Sequence, residues 1–489
     1  MSPTSTVVAK FVDPRDDNVT RPKALLNTIT LLGVIYTASV SGGYGLEDSI
    51  KAGGPLLTIV FLIMIPFVWG IPVSLCVAEL ACAIPSNAGP IMWVNVTFKP
   101  WFTFCTVLWT MMLNFVDNSL YPTVFADYCT TLLGLTEMQK AAIKILFVWS
   151  CAAINMVGMH IVGAFSVAIM AVTILPFAVL FVLQLPEGFN WHRIAYVPSV
   201  VDWSLFLPVV AWNFSGFDSA GHVIEEVQNP NTTFVRALIW MIVAALATYI
   251  PPILVGASAK SLQNVPWSEW GDGFWVRVGD AVGGFGVASL VMVGGTISTL
   301  GLMTTLLTTT SRSLAGMGTL RALPEFLSNW ISQYHHKYGT PINAILINAT
   351  VTSILSVCFT FQILVALDQI LYALRLIAIL LCFLKLRWDC PHLVRPYRAP
   401  GGLFAAFLWA LVPICFSVFL LVMSMLGGSG LFWSAVVIVI GTMVLSVVVV
   451  SLYRKEGFDG SIVELVVDAS HESYGSIIND SFSSFHKSL

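Results

Sequence analysis

The stretch that decides the fold, residues 36–49, reads Tyr-Thr-Ala-Ser-Val-Ser-Gly-Gly-Tyr-Gly-Leu-Glu-Asp-Ser. It places two adjacent glycines and then two carboxylates inside the first long apolar segment, where a membrane helix should run unbroken. Irregular backbone at membrane depth is tolerated only where protein or a water-filled cavity satisfies its freed N–H and C=O groups. We therefore interpret residues 41–43 as a helix break that forms half of a substrate site.

A second interruption, residues 212–222, reads Trp-Asn-Phe-Ser-Gly-Phe-Asp-Ser-Ala-Gly-His. Either interruption alone is also explained by close helix packing, because small residues let backbones approach each other in membranes. Two breaks that are each followed by an acid, in corresponding positions of two halves, favour a transporter with its site at a repeat interface.

The composition is that of an integral membrane protein. Of the 489 residues, 57% are hydrophobic and 10% are charged, whereas about 25% of the residues in a soluble domain are charged. Apolar runs long enough to cross about 30 Å of hydrocarbon recur along the chain. About twelve spans are predicted, at residues 26–50, 55–84, 101–133, 141–157, 161–184, 205–224, 233–257, 284–311, 341–360, 363–387, 403–426 and 431–452.

The basic residues predict the orientation of the chain. Sixteen Lys and Arg residues fall on the side that both termini share and six on the other side, while Arg375 lies inside a span. By the positive-inside bias, we expect both termini in the cytosol, and we take the membrane to be the plasma membrane. The predicted parts are a cytosolic segment (1–24), a transmembrane domain (25–452) and a cytosolic, largely disordered tail (453–489).

The two breaks also predict the topology. They fall in the first and sixth spans, which is where two inverted repeats of five spans would place them. The last two spans then lie outside the repeats. We therefore predict an all-α membrane protein of about twelve transmembrane helices, in a five-plus-five inverted-repeat fold with helices 1 and 6 broken, plus helices 11 and 12.

Ionisable groups inside membrane spans are costly and usually serve function. Here most of them are acidic, which suits a cationic substrate: Glu47, Asp48, Glu79, Asp117, Asp218 and Asp368, against Arg375 and His222. Carboxylates, backbone carbonyls of the two breaks and aromatic rings would together hold an ammonium group. The predicted substrate-binding residues are Ser41, Gly42, Gly43, Glu47, Asp117, Tyr121, Trp212, Ser215, Gly216, Phe217 and Asp218. Asp218 is also explained as a helix cap, since a carboxylate favours the first turn of a helix.

Three residues are candidates for proton coupling or gating, namely Glu79, Asp117 and His222. Glu79 is equally explained as an anion that stabilises a helix end, and a lone membrane histidine is more often a packing residue. We find no phosphate-binding glycine loop, no metal-ligand spacing and no nucleophile with a base. The sequence therefore predicts no enzyme, no cofactor and no metal, and its expected partners are a small cation, protons and lipid but no nucleic acid.

Several motifs resemble the amino acid-polyamine-organocation superfamily, and more closely its polyamine:proton symporters of plants and protists. The resemblance covers roughly residues 25–400 and rests on Ser41-Gly42-Gly43, Gly45-Leu46-Glu47-Asp48-Ser49, Gly54-Pro55-Leu56-Leu57, Ala78-Glu79-Leu80, Asp117-Asn118-Ser119-Leu120-Tyr121-Pro122, Phe217-Asp218-Ser219, Glu226-Val227-Gln228-Asn229-Pro230, Tyr338-Gly339-Thr340-Pro341 and Arg395-Pro396-Tyr397-Arg398-Ala399-Pro400. The resemblance implies a LeuT-like fold and proton-driven uptake of putrescine, spermidine or spermine.

This chain departs from the family pattern in four places. Tyr44 stands where a Pro-Phe pair is expected, so the first break is one residue shorter. The loop at residues 84–90 lacks the usual acidic, Gly-Gly form, and Arg375 replaces a small residue. The fifth span, 162–183, contains no lysine, so coupling would fall to Glu79, Asp117 or His222.

The leading hypothesis is a proton-coupled polyamine importer. The alternatives are a permease for cationic or neutral amino acids, in which N–H groups at Gly42 and Gly43 would bind the substrate carboxylate, and a membrane receptor that does not transport. The acids that follow each break favour an amine without a carboxylate, because transporters of zwitterionic amino acids use half-helix N-termini for that group.

Overall fold

Each predicted span contains helix in the computed structural model, which describes residues 26–40, 42–84, 89–157, 164–216, 227–228, 230–319, 321–336, 338–391, 393, 395 and 397–453. Helices satisfy their backbone hydrogen bonds within one segment, as a surrounding hydrocarbon requires. Within these ranges there is no β-strand beyond isolated bridges, one of which joins Leu26 and Val227. The predicted segment 1–24 and residues 454–489 of the predicted tail lie outside the described residues.

The described helices are numbered here in chain order. They are α1 (Thr28–Ser39), α2 (Glu47–Ile65), α3 (Ile71–Ala83), α4 (Pro90–Thr97), α5 (Pro100–Leu133), α6 (Glu137–Val157), α7 (Ala164–Gln184), α8 (Trp191–Ile194), α9 (Trp203–Trp212), α10 (Pro230–Ser258), α11 (Phe274–Thr319), α12 (Glu325–Ile331), α13 (Ile342–Cys358), α14 (Phe361–Asp389), α15 (Leu403–Met425), α16 (Ser429–Val436) and α17 (Thr442–Tyr453). A π-helical turn, Pro66–Gly70, joins α2 to α3, and another, Val437–Gly441, joins α16 to α17.

Eight helical segments of the described chain are long and apolar enough to cross a membrane. They are Glu47–Ala83, Glu137–Val157, Val167–Glu187, Thr232–Ser258, Phe274–Gly318, Phe361–Asp389, Leu403–Met425 and Ser429–Leu452. The protein is therefore an integral, multi-pass membrane protein. The helices α1 and α9 are shorter, as the halves of interrupted helices are.

The first predicted break is confirmed. Helix α1 ends at Ser39 and α2 begins at Glu47, and the described residues between them are non-helical. The second break begins as predicted, because α9 ends at Trp212 and a turn follows through Gly216. Residues 217–226, where the helix was expected to resume, lie outside the described residues.

Two glycines divide helices that are otherwise continuous. Gly54 in α2 has φ +78°, and it separates the half-helix after the first break from the next predicted span. Helix α11 starts ten residues before the predicted span. Gly284, where that span was expected to begin, has φ +68° and bends the helix. Left-handed backbone at these two points suits glycine, which has no Cβ to clash.

Helix α14 positions the site. It has 29 residues without an internal proline or glycine, and it packs against α5, α9 and α15. At 1.5 Å per residue it extends about 43 Å, enough to cross the hydrocarbon. Its start, near the loop at residues 259–273, is at the predicted outer end, and its finish is at the predicted cytosolic end.

Candidate functional site

The first break is a glycine-dependent turn whose carbonyl is already bound. Gly42 has φ +76° and Gly45 has φ +81°, a conformation that side chains disfavour. The carbonyl of Gly43 accepts a hydrogen bond of 2.6 Å from the indole Nε1 of Trp275, in the first turn of α11. This contact fixes the break against α11 and uses one oxygen that was predicted to face the substrate. Ser41 lies outside the described residues.

Tyr44 is a buried wedge between the first break and α11. Its hydroxyl donates to the carbonyl of Val291 at 3.0 Å. A Cβ atom on Gly294 would lie 2.7 Å from the Tyr44 hydroxyl, and one on Gly295 would lie 3.0 Å from its ring. The ring therefore fits only because these two residues are glycines. The departure from the family pattern at Tyr44 fills a packing position between helices.

Helix α14 holds the start of the second break. Gln369 Nε2 donates to Ser215 Oγ at 3.0 Å, and the backbone N–H of Gly216 donates to the Tyr372 hydroxyl at 3.4 Å. The ring of Trp212, the last residue of α9, packs 5.4 Å from the ring of Phe361. Three predicted residues of this region, Phe217, Asp218 and His222, lie outside the described residues.

Beside the second break lie two carboxylates that we name the central acid pair, Asp117 of α5 and Asp368 of α14. The Tyr121 hydroxyl donates to Asp117 Oδ1 at 3.0 Å, and the Tyr121 ring lies 6.1 Å from the ring of Trp212. Gln369 Nε2 donates to Asp368 Oδ2 at 2.9 Å, and the negative charge of Asp117 acts on Asp368. The structure thus brings four predicted residues together, namely Asp117, Tyr121, Trp212 and Ser215.

Arg375 adjoins the central acid pair. Its guanidinium carbon lies 5.2 Å from the centre of the Tyr372 ring, and its positive charge acts on Asp368. A fixed cation therefore partly offsets the negative charge of the pair. This is the local effect of the family departure at position 375.

Glu47 lies in a different place from Asp117. The Tyr128 hydroxyl donates to Glu47 Oε1, and the backbone N–H of Gly273 donates to the same oxygen at 3.2 Å. Tyr128 is eleven residues after Asp117 on α5, which is about 16 Å along the helix. The structure does not bring Glu47 and Asp117 together, and it places Glu47 nearer to the predicted outer end.

Two further acids join Glu47 there, and we name Glu47, Asp48 and Asp272 the upper acid cluster. Gln362 Nε2 donates to Asp48 Oδ2 at 2.6 Å and to Asp272 Oδ2 at 3.4 Å. Asp272 belongs to the loop before α11 and is partly exposed. Burial of its carboxyl group raises the pKa of Asp272 well above the ordinary value, and the negative charge of Asp48 raises it further.

Glu79 forms an ion-pair network that we name the inner latch, with Arg387 and Arg395. Arg387 Nε donates to Glu79 Oε1 at 2.5 Å and Arg387 Nη2 donates to Glu79 Oε2. Arg395 Nε lies 2.9 Å from Glu79 Oε1, and the backbone N–H of Ala399 donates to Oε2 at 2.8 Å. Both carboxylate oxygens are thus held by cations at the predicted cytosolic end.

The sequence interpretation missed several of these residues. Gln362, Gln369 and Tyr372 lie on one helix, and Gln362 and Gln369 are seven residues apart and so share a face. A polar stripe along an apolar span was the signal that would have found them. Asp272 gave no such signal because it lies in a loop. Among the described residues, no group of three His, Cys, Asp or Glu side chains is arranged to hold a metal ion.

Comparison with known proteins decides the family. A family model described as amino acid permease matches residues 26–453, almost the whole helical region. The chain belongs to the amino acid permease family. This permease is therefore a transporter by family, and the breaks and buried acids described above lie within the matched region.

Curated relatives of the permease are similar over most of its length. A probable polyamine transporter of Arabidopsis thaliana is 32% identical over 432 residues, covering 87% of this chain and 88% of the relative. The polyamine transporter RMV1 of the same plant is 32% identical over 408 residues, covering 81% of each chain. The polyamine transporter PUT1 of Oryza sativa subsp. japonica is 30% identical over 382 residues, covering 77% of this chain and 70% of the relative.

Proposed function

We propose that the protein is a secondary active transporter that imports polyamines by proton symport. The printed names of its relatives support polyamines as the substrate class. We further propose twelve transmembrane helices in a five-plus-five inverted repeat with two additional helices, a plasma membrane location and cytosolic termini. The positions of the two breaks and the distribution of Lys and Arg support this arrangement.

One observation carries the proposal, namely that carboxylate oxygens without donors adjoin the breaks. Within the described part of the chain, Glu47 Oε2, Asp48 Oδ1 and Asp368 Oδ1 are buried and accept no hydrogen bond. An unmatched buried carboxylate is costly. An ammonium group supplies both a positive charge and three N–H donors, so a polyamine would satisfy these oxygens.

The same acids argue against an amino acid as the substrate. Glu47 and Asp48 are the first two residues of α2, and they place negative charge at the positive end of the resumed helix. An amino acid permease of this design would bind the substrate carboxylate at that end. Two protein carboxylates there would repel it.

Asp117 is our candidate for the proton-binding residue. Its charge and that of Asp368 repel each other at the second break, and two carboxylates in one site favour holding a proton between them. Glu79 is a poorer candidate because two guanidinium groups bind its carboxylate. In this proposal, the inner latch makes Glu79 a gating residue.

Uptake by purified protein in vesicles tests the proposal. With an inward proton gradient, radiolabelled spermidine should accumulate and unlabelled putrescine or agmatine should compete with it. Asp368→Asn and Asp218→Asn should each reduce uptake severely, whereas Asp280→Asn, which changes an exposed acid, should not. Transport of α-amino acids with no uptake of spermidine would contradict the proposal, as would spermidine uptake that ignores the proton gradient.

A further inference from the structure

We propose that Asp48 and Asp272 of the upper acid cluster form an outer ammonium subsite. It would bind the far end of a linear polyamine whose near end lies at the central acid pair. The inference rests on the proposed transport of polyamines, and it adds a length requirement to the substrate. The protein would then recognise an amine by two charges at a fixed separation.

The contacts of the two aspartates leave one oxygen of each carboxylate without a donor among the described residues. A single neutral amide, that of Gln362, joins one oxygen of Asp48 to one oxygen of Asp272. The other oxygens, both Oδ1, are buried and have no hydrogen-bond partner among the described residues. Asp48 is fully buried. A Cβ atom on Gly271 would lie 3.8 Å from Asp48 Oδ1, so a glycine flanks this free oxygen.

Among the described residues, cations act on the cluster only from a distance, Lys51 on Asp48 and Lys140 on Asp272, and neither forms an ion pair with it. Glu47 accepts its hydrogen bonds from a tyrosine hydroxyl and a backbone N–H, both neutral. The neighbouring Asp127 has its own cation, Lys140. In the described ranges no Lys or Arg forms an ion pair with Asp48 or Asp272. Since a buried carboxylate is stable only when it is paired or protonated, the cluster suits an incoming cation.

An ammonium group fits this cluster better than a metal ion does. The acids here are not arranged as a metal-binding group within the described residues. An ammonium has three N–H donors, which matches the unpaired oxygens of Asp48, Asp272 and Glu47. The Trp212 ring lies 5.4 Å from the ring of Phe361, the neighbour of Gln362, and 6.1 Å from the ring of Tyr121, so these rings would pack against methylene groups.

Two helices give the separation of the two acid sites. On α14, Gln362 contacts the upper acid cluster and Asp368 belongs to the central acid pair, six residues or about 9 Å further along. On α5, Tyr121 contacts the central pair and Tyr128 contacts the upper cluster, seven residues or about 10 Å apart. The two estimates agree, although they come from two different helices.

A short diamine cannot place one nitrogen at the centre of each site, because the sites lie about 9 to 10 Å apart along the helix axes. Five bonds of about 1.5 Å separate the nitrogens of 1,4-diaminobutane, so they are at most about 7 Å apart. Nine bonds separate the nitrogens of 1,8-diaminooctane, and its contour of about 13 Å is long enough. Spermidine also has nine bonds between its terminal nitrogens. A bridging ligand would therefore need roughly the length of a triamine.

A length series of α,ω-diaminoalkanes tests the subsite. The full-length protein in vesicles would take up radiolabelled putrescine, with diamines of four to ten carbons as competitors. The inhibition constant should be at least about tenfold lower for the eight-carbon than for the four-carbon diamine. A tenfold change corresponds to the free energy of one charge-assisted contact. Octylamine, which has the same methylenes and one nitrogen, should not show this gain.

Single variants test whether Asp48 and Asp272 cause the gain in inhibition with diamine length. Asp272→Asn should abolish the gain with length while changing inhibition by the four-carbon diamine less than about twofold, because short amines need only the central pair. Asp48→Asn should also abolish the gain with length. Asp280→Asn is the matched control, since it removes an exposed charge at the same end, and it should keep the gain. Thermal unfolding of each variant in detergent shows whether it folds.

Three results would overturn the subsite. The first is a wild-type protein that takes up polyamines but whose uptake is inhibited equally by diamines of all lengths. The second is a gain with length that survives in both folded aspartate variants. The third is an Asp272→Asn effect of equal size on diamines and octylamine, which would indicate a general or proton-related role. Uptake of amino acids alone would instead contradict the proposed function itself, so the two failures are distinguishable.

Discussion

The inner latch gives the sharpest prediction about stability, through the change Glu79→Gln. Glu79 is 1% exposed, and it accepts hydrogen bonds from Arg387 and the Ala399 N–H and pairs with Arg395. The change keeps the shape of the side chain but leaves two buried guanidinium groups without their anion. Breaking a buried ion pair from one side costs about 3 to 5 kcal/mol. We expect a loss of this size in the free energy of unfolding.

A double-mutant cycle with Arg387→Gln isolates the interaction. Glu79→Gln leaves both guanidinium groups without their anion and Arg387→Gln leaves Glu79 with Arg395 alone, whereas the double variant removes both members of the closest pair. The double variant should therefore lose less than the sum of the two single losses, with a coupling of at least about 1.5 kcal/mol. Unfolding in mixed detergent micelles measures the free energies, and Glu325→Gln is the control because Glu325 is exposed.

Additive losses would refute this reasoning, as would a Glu79→Gln variant as stable as the control. Uptake by the same variant also separates gating from proton binding. If the latch gates the site, residual uptake by Glu79→Gln should keep its dependence on the proton gradient. Loss of that dependence, with amine uptake retained, would make Glu79 the proton-binding residue instead.

Three further changes test contacts at the breaks. Gly42→Ala should destabilise the protein by more than Gly188→Ala, since both have left-handed φ but only at Gly42 would the new Cβ meet the Tyr44 ring, at 2.7 Å; equal melting temperatures would contradict this. Trp275→Phe removes the donor to the carbonyl of the first break and should cost about 1 to 3 kcal/mol of unfolding free energy, so an unchanged value would argue against that hydrogen bond. Tyr121→Phe removes the donor to the central acid pair and should lower uptake about tenfold with normal folding; unchanged uptake would place the pair outside the substrate path.

Local sequence patterns predicted the helices and the first break because both depend on neighbouring residues. Apolar length determines where a span can lie, and the glycines at 42 and 45 adopt backbone angles that other residues disfavour. The sequence also identified Asp117 and Tyr121, which are four residues apart on one helical face. These features need no knowledge of distant parts of the chain.

Contacts between distant segments could not be predicted in this way. Glu79 and Arg387 are 308 residues apart in sequence, so nothing near Glu79 indicated that its charge was already matched. The sequence grouped Glu47 with Asp117 in one substrate site, whereas the half-helix after the break places Glu47 against Tyr128 and the loop before α11. Tyr44 was interpreted as shortening the first break, and only the opposing glycines of α11 show that it packs between helices.

The uninterrupted helix α14 has a consequence for how the two membrane faces communicate. One rigid rod touches the upper acid cluster through Gln362, the second break through Gln369 and the inner latch through Arg387. A tilt of this rod therefore displaces all three contacts at once. By thermodynamic linkage, any ligand that favours one tilt from outside must change the latch, and strengthening the latch must change the affinity for that ligand by the same factor.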